Sequence, residues 1–509
     1  MKIKFLFNLL FLGMLTGFSQ SFFYLIPLVV LAYFFFYKKI ILAQSLKESF
    51  FTGWIFGTGF FFGSMHWMVN PFLIYQKHFL LFPLGLIVFP IVMGLFFVIP
   101  TVSIFLTRKT KIFKEKKIFL QSFFISFFFF VSELLRSKIF GGLPFNLSGH
   151  MWALKSDFIQ ISKFVGVYGI SFLTLLWIMV SINLFNRKNF KLSFFMFVFF
   201  PSFFLSFSFL WNSEDKKDNE ATILVRVVQP NISQEKKWNR LFFQQNIEKL
   251  VKLTNEKNSQ KDKIVVWPEA AITLYLNEEK DFLRYLKKEI PSNITIITGG
   301  LRREISKSKV RVFNSLYLIN EKIKFYDKRK LVPFGEFIPL RKWVDFLKIT
   351  PGSTDFSAGQ ELEIIKDNVG GQSYFFEPSI CFEAIFQTFS DSESQFLINV
   401  TNDAWFGNGL GPRQHLSAQI FRAVEKSTPL IRSSNSGISV ITNEKGKIVE
   451  KIKLGKDGFI ELDLKLQSRK TFFEKNGNLS LVFLILLTFL LFYLIEIIYH
   501  LKVKSKSYF

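Results

Sequence analysis

Long uninterrupted runs of apolar residues fill the first 211 positions of the chain and return once near its C-terminus. An α-helix needs about 20 mostly apolar residues to cross a hydrocarbon layer of roughly 30 Å, and runs of this length recur here. The pattern predicts a membrane domain over residues 1–211 with seven helices, and one more membrane helix over 478–501, which makes about eight helices in all. The predicted spans are 4–18, 21–37, 51–69, 79–106, 117–135, 167–186, 192–211 and 479–499.

The pattern changes between these two regions. The polar segment NSEDKKDNE, residues 212–220, predicts a linker, and residues 221–466 alternate short β-branched runs with amphipathic segments. Such alternation favours an α/β domain whose apolar strands are covered on both faces. The predicted strands are 222–229, 263–267, 294–299, 310–319, 321–327, 374–381 and 396–401, followed by short strands to about 463, and the predicted helices are 233–257, 277–289, 382–389 and 413–427.

The formal net charge of +25 arises mainly in the loops between the predicted spans. Lys and Arg concentrate at alternate span ends, and such residues tend to stay on the cytoplasmic side of a membrane. We therefore expect both termini to be cytoplasmic and residues 212–478 to face the other side, which in a bacterium is the periplasm. Residues 212–478 carry no basic stripe with interleaved aromatic residues, which argues against binding of nucleic acid.

The chain contains one cysteine, Cys381, in the segment EPSICFEAI. It lies at the end of the predicted strand 374–381, where the N–H groups of the following predicted helix would favour a thiolate and could bind an oxyanion. The segment alone leaves two interpretations open, because Cys381 is either a nucleophile or a small buried hydrophobic residue.

Two further segments place ionisable residues at predicted strand ends. Glu269 follows an apolar strand in VVWPEAAI, and a desolvated carboxylate there is suited to general base catalysis. The segment YDKRKLVPFGE supplies Lys328, Lys330 and Glu336, and a cation beside a thiol would stabilise an oxyanion. Taken singly, Glu269 could equally be an exposed loop residue and either lysine a solvated one. The sequence has no His and Cys cluster with metal-ligand spacing, so we expect neither a metal nor another cofactor.

A glutamate, a lysine before LVPFGE and a cysteine, in this order and each at a strand end, resemble the pattern of the nitrilase or carbon-nitrogen hydrolase superfamily. Together with the predicted spans, the chain resembles the bacterial apolipoprotein N-acyltransferase family over nearly its whole length. The resemblance implies an α-β-β-α sandwich for the α/β domain. The motifs that carry it are VQPNISQEKKW (228–238), WPEAA (267–271), DKRKLVPFGEFIP (327–339), SICFE (379–383), NVTNDAWFGNGLGPRQH (399–415), AVEKSTPLIRSSNSG (423–437), GLPF (142–145) and GVYGISF (166–172).

Carried over residue by residue, the resemblance implies roles for specific side chains. Glu269 would be the general base, Lys328 the oxyanion-stabilising lysine and Cys381 the nucleophile. Supporting roles would fall to Glu336, which can orient the lysine, to Glu383 and to the backbone N–H of Phe382.

Aromatic residues are the candidates for substrate binding. Trp238 matches a tryptophan implicated in phospholipid handling in the family, and Trp405 belongs to the NDAWFG motif. Trp343 and Phe346 lie in the Pro-rich segment 330–359, which is expected to be either a lid that can dip into a bilayer or an ordinary packed loop. Phe382 stands where relatives commonly have Tyr, and only its backbone N–H is needed for an oxyanion.

The resemblance implies transfer of an acyl chain from a membrane phospholipid, with phosphatidylethanolamine as the expected donor. The chain would pass through a thioester on Cys381 to the N-terminal amine of a diacylglyceryl apolipoprotein. We expect a monomeric, multi-pass protein of the bacterial inner membrane with a periplasmic catalytic domain. Two alternatives are a membrane-tethered amidase or nitrilase with water as acceptor, and a transporter with an accessory domain. The transporter leaves the three strand-end residues unexplained, and it would place more ionisable residues within the spans.

Overall fold

The computed structural model describes residues 3–114, 117–211, 221–257, 259–306, 309–339, 354–388, 393–466 and 470–505. The chain divides into two compact units. One unit is helical and comprises described residues from 3–69, 80–211 and 471–505. The other has mixed α and β structure and comprises residues 70–79 together with described residues from 221 to 470.

Apolar helices build the first unit. Six helical segments of the described chain are long and apolar enough to cross a membrane, and they confirm the predicted multi-span helical domain. They are Phe23–Leu42, Leu81–Thr107, Ile118–Arg136, Ser162–Asn186, Phe190–Phe209 and Asn478–Ile498.

The α-helices of both units are α1 (Ile3–Ser19), α2 (Ile26–Leu42), α3 (Leu46–Met65), α4 (Leu81–Gly94), α5 (Val98–Thr107), α6 (Lys111–Lys114), α7 (Ile118–Arg136), α8 (Ser162–Asn186), α9 (Phe190–Trp211), α10 (Gln234–Lys237), α11 (Phe243–Asn255), α12 (Lys280–Glu289), α13 (Leu410–Lys426), α14 (Phe472–Asn476) and α15 (Asn478–Ser505).

The two remaining predicted spans, α1 and α3, are helical and pack closely on each other. A Cβ atom added to Gly13 of α1 would lie 2.0 Å from the carbonyl oxygen of Phe56, and one added to Gly59 of α3 would lie 2.1 Å from that of Leu10. Small residues permit this backbone approach between helices, which is a common way for membrane helices to associate. Glycine therefore supplies the contact surface in the two helices that are either short or only moderately apolar.

Two β-sheets build the second unit. The first has the strand order β13-β1-β2-β4-β5-β6, with β3 paired to β4, and the second has the order β12-β11-β10-β9-β8-β7. Within them, β1, β2 and β4 run parallel, as do β8, β9 and β10. The strands are β1 (Thr222–Gln229), β2 (Lys263–Val266), β3 (Ile272–Tyr275), β4 (Ile294–Ser306), β5 (Lys309–Ile319), β6 (Ile323–Asp327), β7 (Ile365–Val369), β8 (Gln372–Ile380), β9 (Phe396–Thr401), β10 (Leu430–Ser434), β11 (Ser439–Thr442), β12 (Ile448–Ile452) and β13 (Gly458–Lys465).

The two sheets share one hydrophobic core. Val225 and Val266 of the first sheet are buried in the same cluster as Phe376 and Val400 of the second. Helices α11 and α12 cover the outer face of the first sheet, where Leu250 joins a separate cluster, and α13 packs against β10 of the second sheet. This confirms the α-β-β-α sandwich, with parallel strands buried on both faces.

Two predicted helices differ from the structure. The predicted helix 233–257 is interrupted after α10, because the Asn239 side chain accepts a hydrogen bond from the N–H of Leu241 and starts a new turn before α11. The predicted helix 382–389 is wrong, since the chain forms only a short 3-10 turn over Cys381–Ile385.

The sequence analysis did not predict two short strands, β3 and β7. Strand β3 has four residues, and β7, with the sequence IKDNV, has polar residues at three of its positions. Strand β3 is therefore at the lower length limit for recognition from a pattern, and β7 lacks the alternation of apolar and polar residues from which strands are predicted.

Candidate active site

The three predicted reactive residues each follow the end of a strand. Glu269 comes after β2, Lys328 directly after β6, and Cys381 directly after β8. The turn beyond β2 is tied to β4, because the N–H of Gly299 donates to the carbonyl of Pro268 at 3.1 Å. Gly299 is needed there, since a Cβ atom would lie 2.3 Å from the backbone nitrogen of Ala270.

Lys328 lies between two carboxylates. Its Nζ is 2.8 Å from Oε1 of Glu336 and 3.4 Å from Oε1 of Glu269. Asn314 on β5 donates from Nδ2 to the same two oxygen atoms, at 3.0 Å to Glu336 and 2.8 Å to Glu269. Burial alone would lower the pKa of Lys328, but the negative charges of Glu336 and Glu269, together with the hydrogen bond to Glu336, outweigh it and raise the pKa. The lysine is therefore a permanent cation in a buried cluster.

Cys381 is buried and has a left-handed backbone conformation, with φ of +50°. Such a conformation is strained for a residue with a side chain, and residues of this kind cluster at functional sites. Burial and the charge of Glu269 raise the pKa of its thiol to about 12, against the opposing effects of Lys328 and of a hydrogen bond with Thr401. The resting sulfur is thus a protonated thiol that needs a base.

This corrects the expectation of a thiolate stabilised by a helix N-terminus. The turn Cys381–Ile385 is too short to present aligned N–H groups and a helix dipole, so burial dominates. The charge of Lys328 acts against burial and lowers the thiol pKa.

Glu383 is buried next to this turn and connects two of the strand ends. Its carboxylate accepts hydrogen bonds from the backbone N–H groups of Ile380 at 2.9 Å, Arg329 at 2.7 Å and Lys330 at 3.1 Å. Burial raises the pKa of Glu383, and these backbone hydrogen bonds act in the opposite direction. Glu383 therefore holds the segment after β6 against the end of β8, which fixes Lys328 relative to Cys381.

A buried ionic network contacts the backbone carbonyl of Cys381, and the sequence analysis did not identify it. His415 Nδ1 is 2.9 Å from Oδ1 of Asp403, and its Nε2 is 3.1 Å from the carbonyl oxygen of Cys381. Arg432 donates to the other oxygen of Asp403. Burial alone would raise the pKa of Asp403, but the charges of Arg432 and His415 hold it at about 2. The network fixes the backbone at the reactive turn.

A second buried lysine was also missed. Lys237, at the end of α10, is only 5% exposed, and its Nζ donates to the backbone carbonyl of Glu269 at 2.7 Å. Burial lowers its pKa to about 8, although the charge of Glu269 acts in the opposite direction. The sequence showed only one lysine within the run QEKKW, where a solvated role is the ordinary expectation.

The predicted aromatic residues fall into three groups. Trp238 is half-buried directly after α10, and Trp405 is half-buried in the 3-10 turn Asp403–Phe406. Phe382 is buried, with its ring 5.2 Å from that of Phe386. Trp343 and Phe346 lie outside the described residues.

Comparisons with known proteins agree with this architecture. Residues 12–180 match the family model of the apolipoprotein N-acyltransferase N-terminal domain, and residues 224–472 match that of carbon-nitrogen hydrolase. An apolipoprotein N-acyltransferase of Rickettsia bellii is 30% identical, over 96% of this chain and 97% of its own length. Those of Rickettsia typhi and Brucella suis are 30% and 29% identical, covering 88% and 86% of this chain and 90% and 84% of their own.

Among solved structures, a carbon-nitrogen hydrolase superfamily protein of Xanthomonas campestris is 15% identical, with a TM-score of 0.35. It covers 48% of this chain and 91% of its own.

The arrangement has the parts that acyl transfer requires. The buried Cys381 thiol lies within the electrostatic reach of the Glu269 carboxylate and the Lys328 ammonium, and the Glu336 carboxylate holds that ammonium in place. Within the described ranges, no group of three or more His, Cys, Asp or Glu side chains could hold a metal ion. These residues fit nucleophilic catalysis by a cysteine with a general base and a fixed cation.

Proposed function

This chain belongs to the apolipoprotein N-acyltransferase family, and on that premise we propose that it transfers an acyl chain from a membrane phospholipid to the N-terminal amine of diacylglyceryl-cysteine in apolipoproteins. Cys381 carries the acyl group between the two substrates as a thioester. Phosphatidylethanolamine is the proposed donor. The supporting observation is the buried cluster in which Lys328 lies between Glu269 and Glu336, within electrostatic reach of the thiol.

In the first half-reaction, Glu269 removes the proton of the Cys381 thiol as the sulfur attacks the ester carbonyl carbon. Because the thiol has a raised pKa, the base is indispensable near neutral pH. The ammonium of Lys328 and the backbone N–H of Phe382 stabilise the oxyanion of the tetrahedral intermediate. The C–O bond of the ester then breaks, the proton on Glu269 passes to the leaving alkoxide, and a lysophospholipid departs.

In the second half-reaction, the free amine of the acceptor attacks the thioester carbonyl. Glu269 takes a proton from the nitrogen, the C–S bond breaks, and the proton returns to the thiolate. The products are an amide on the lipoprotein and the original thiol. The enzyme is thus regenerated without a cofactor.

The proposed topology follows from the substrates. Residues 1–211 would form a membrane domain, 212–220 a linker, 221–466 a periplasmic catalytic domain and 478–501 a last membrane helix, with both termini cytoplasmic. The chain is a multi-pass membrane protein of this family, and both substrates are lipids. Anchoring the thiol at the same surface confines the encounter to two dimensions and raises the effective concentration.

Mass spectrometry of the intact protein tests the first half-reaction. After incubation with phosphatidylethanolamine in detergent micelles, we expect one acyl group on Cys381 that hydroxylamine removes, as it does a thioester. We expect no adduct in Cys381→Ala or in Lys328→Ala, and a normal adduct in Lys330→Ala as the matched control. An adduct that persists in Cys381→Ala, or none in the wild type, would refute the assignment.

Addition of a diacylglyceryl-cysteine peptide tests the second half-reaction. The proposal requires an N-acylated peptide and recovery of the free thiol. Release of free fatty acid at the same rate with and without the peptide would instead identify a membrane-tethered amidase-like hydrolase that uses water.

A further inference from the structure

Lys237 brings unused hydrogen-bond donors into the candidate active site. A lysine ammonium has three N–H donors, and one of them is bound to the carbonyl of Glu269 at 2.7 Å. The described part of the chain offers no acceptor to the other two. Burying a donor without an acceptor costs about 1–3 kcal/mol, so an arrangement of this kind usually has a partner outside the chain.

The next residue repeats this situation. The indole N–H of Trp238 is buried and has no acceptor within the residues that the structure describes. Two consecutive side chains at the end of α10 therefore present donors without acceptors. This end of α10 therefore suits a ligand that carries acceptor oxygen atoms.

Lys237 lies beside the candidate general base, because its hydrogen bond to the carbonyl of Glu269 is 2.7 Å long. Its ammonium interacts electrostatically with both Glu269 and Cys381. Lys328 already forms ion pairs with two carboxylates, and in the proposed mechanism it also stabilises the oxyanion. Lys237 is thus a second cation beside Glu269 that the acyl-transfer chemistry does not use.

The two proposed substrates differ in the group that such a cation would bind. A phospholipid has an anionic phosphodiester a few bonds from its ester carbonyl, whereas the diacylglyceryl group of the acceptor has no anion there. A charge-assisted bond from an ammonium to a phosphate oxygen is among the stronger hydrogen bonds in proteins.

We propose that Lys237 binds the phosphodiester of the acyl donor through its ammonium group. This inference rests on the proposed function and assigns the residue that makes the first half-reaction selective for phospholipids over neutral acylglycerols. Lys237 is a binding residue for the donor and takes no part in the acyl transfer itself.

The proposal has a consequence for pH. Burial holds the pKa of Lys237 at about 8, with the Glu269 carboxylate and the Cys381 thiol as the titratable groups that interact with it. The ammonium is therefore present at neutral pH and is lost as the pH rises through this value. KM for the phospholipid should increase above about pH 8 in the wild type and stay level in Lys237→Arg, because Arg does not titrate in this range.

Three acyl donors separate the possible roles of Lys237. Rates of Cys381 acylation are measured in full-length protein with phosphatidylethanolamine, with diacylglycerol of the same chains in the same micelles, and with p-nitrophenyl butyrate. For Lys237→Met we expect kcat/KM with the phospholipid to fall about 10- to 100-fold through KM, the scale of one lost charge-assisted bond. Its rates with diacylglycerol and with the aryl ester should fall by one common and smaller factor, because the variant also loses the hydrogen bond to the carbonyl of Glu269. Lys236→Met is the matched control, because its ammonium is 5.3 Å from the ring centroid of Phe242 and makes no contact with Glu269.

The outcomes are distinguishable. Equal losses with all three donors would mean that Lys237 positions Glu269 instead, and unchanged kinetics with the phospholipid would mean that it binds nothing; either result overturns the proposal. A wild type that reacts with the aryl ester but with neither lipid would refute the proposed function together with this assignment. A wild type that accepts phosphatidylethanolamine, beside a Lys237→Met variant that accepts it equally well, would refute the assignment alone.

Discussion

At the scale of single residues, the candidate site depends on opposite charges that act on one buried sulfur. Glu269 raises the pKa of the Cys381 thiol and Lys328 lowers it, while burial sets the overall direction. A cysteine that is a protonated thiol at rest is protected from oxidation and from adventitious electrophiles, because the thiolate is the reactive form. Its reactivity then depends on a base that acts when a substrate is bound.

Removing the charge of Glu269 and removing the charge of Lys328 should change the rate of Cys381 alkylation in opposite directions. Glu269→Gln removes a negative charge and should lower the thiol pKa, so iodoacetamide should modify Cys381 faster at pH 9. Lys328→Met removes the opposing cation and should slow the modification. Both variants should nevertheless lose acyl transfer, since one lacks the base and the other the oxyanion partner. Alkylation rates that shift in the same direction in both variants would contradict this electrostatic account.

The sequence indicated Glu269 and Cys381 because each follows an apolar strand, and it indicated Lys328 because this residue directly follows a predicted strand just before the LVPFGE motif. It could not predict the partners that approach from elsewhere. Lys237 is one of two adjacent lysines in QEKKW, and only the turn at Trp238 determines which of them is buried. Burial of a single charged residue is a property of tertiary packing, and local composition carries no signal for it.

At the scale of elements, the strands with continuous apolar character were predictable and the helix boundaries were not. Strands β1 and β9 have the predicted bounds because their residues are buried on both faces. The predicted helix 233–257 failed because a side-chain cap at Asn239 competes with helix continuation, and the two alternatives have the same amphipathic period.

The crossing of α1 and α3 supports a prediction at this scale. Gly59→Ala would place a methyl group 2.1 Å from the carbonyl oxygen of Leu10, so the two helices must separate. We expect a lower thermal unfolding temperature in detergent, with a loss on the order of 1–3 kcal/mol, the usual cost of overpacking. Phe11→Leu is the matched control because Phe11 lies on the exposed face of α1. An unchanged unfolding temperature in Gly59→Ala would show that the helices do not need this approach.

At the scale of the whole molecule, the division into two units does not follow the order of the chain. Residues 70–79 connect α3 to α4, yet they belong to the α/β unit. Asn70 donates from Nδ2 to the carbonyl oxygen of Phe406 at 2.9 Å. That carbonyl precedes Gly407, whose φ of +68° ends the turn that contains Asp403 and Trp405. A short segment from between two apolar helices therefore supports a turn beside the candidate site.

Asn70→Ala should loosen this turn without unfolding the helical unit. We expect faster hydrogen exchange over residues 403–410, because one cross-chain hydrogen bond is lost, and little change elsewhere. Gln76→Ala is the control, since Gln76 is exposed within the same segment. Identical exchange in the Asn70→Ala variant and the wild type would mean that the segment contributes nothing to the stability of the turn.

The assignment of residues 70–79 to the α/β unit also bears on biogenesis. A ribosome delivers this decapeptide long before it reaches β1 at Thr222, and proteins generally acquire their structure from the N-terminus onward during synthesis. Helices α3 and α4 are therefore made and inserted first, and residues 70–79 between them are in place before the rest of the α/β unit is synthesised. An insertion error in α3 or α4 would separate residues 70–79 from the α/β unit to which they belong.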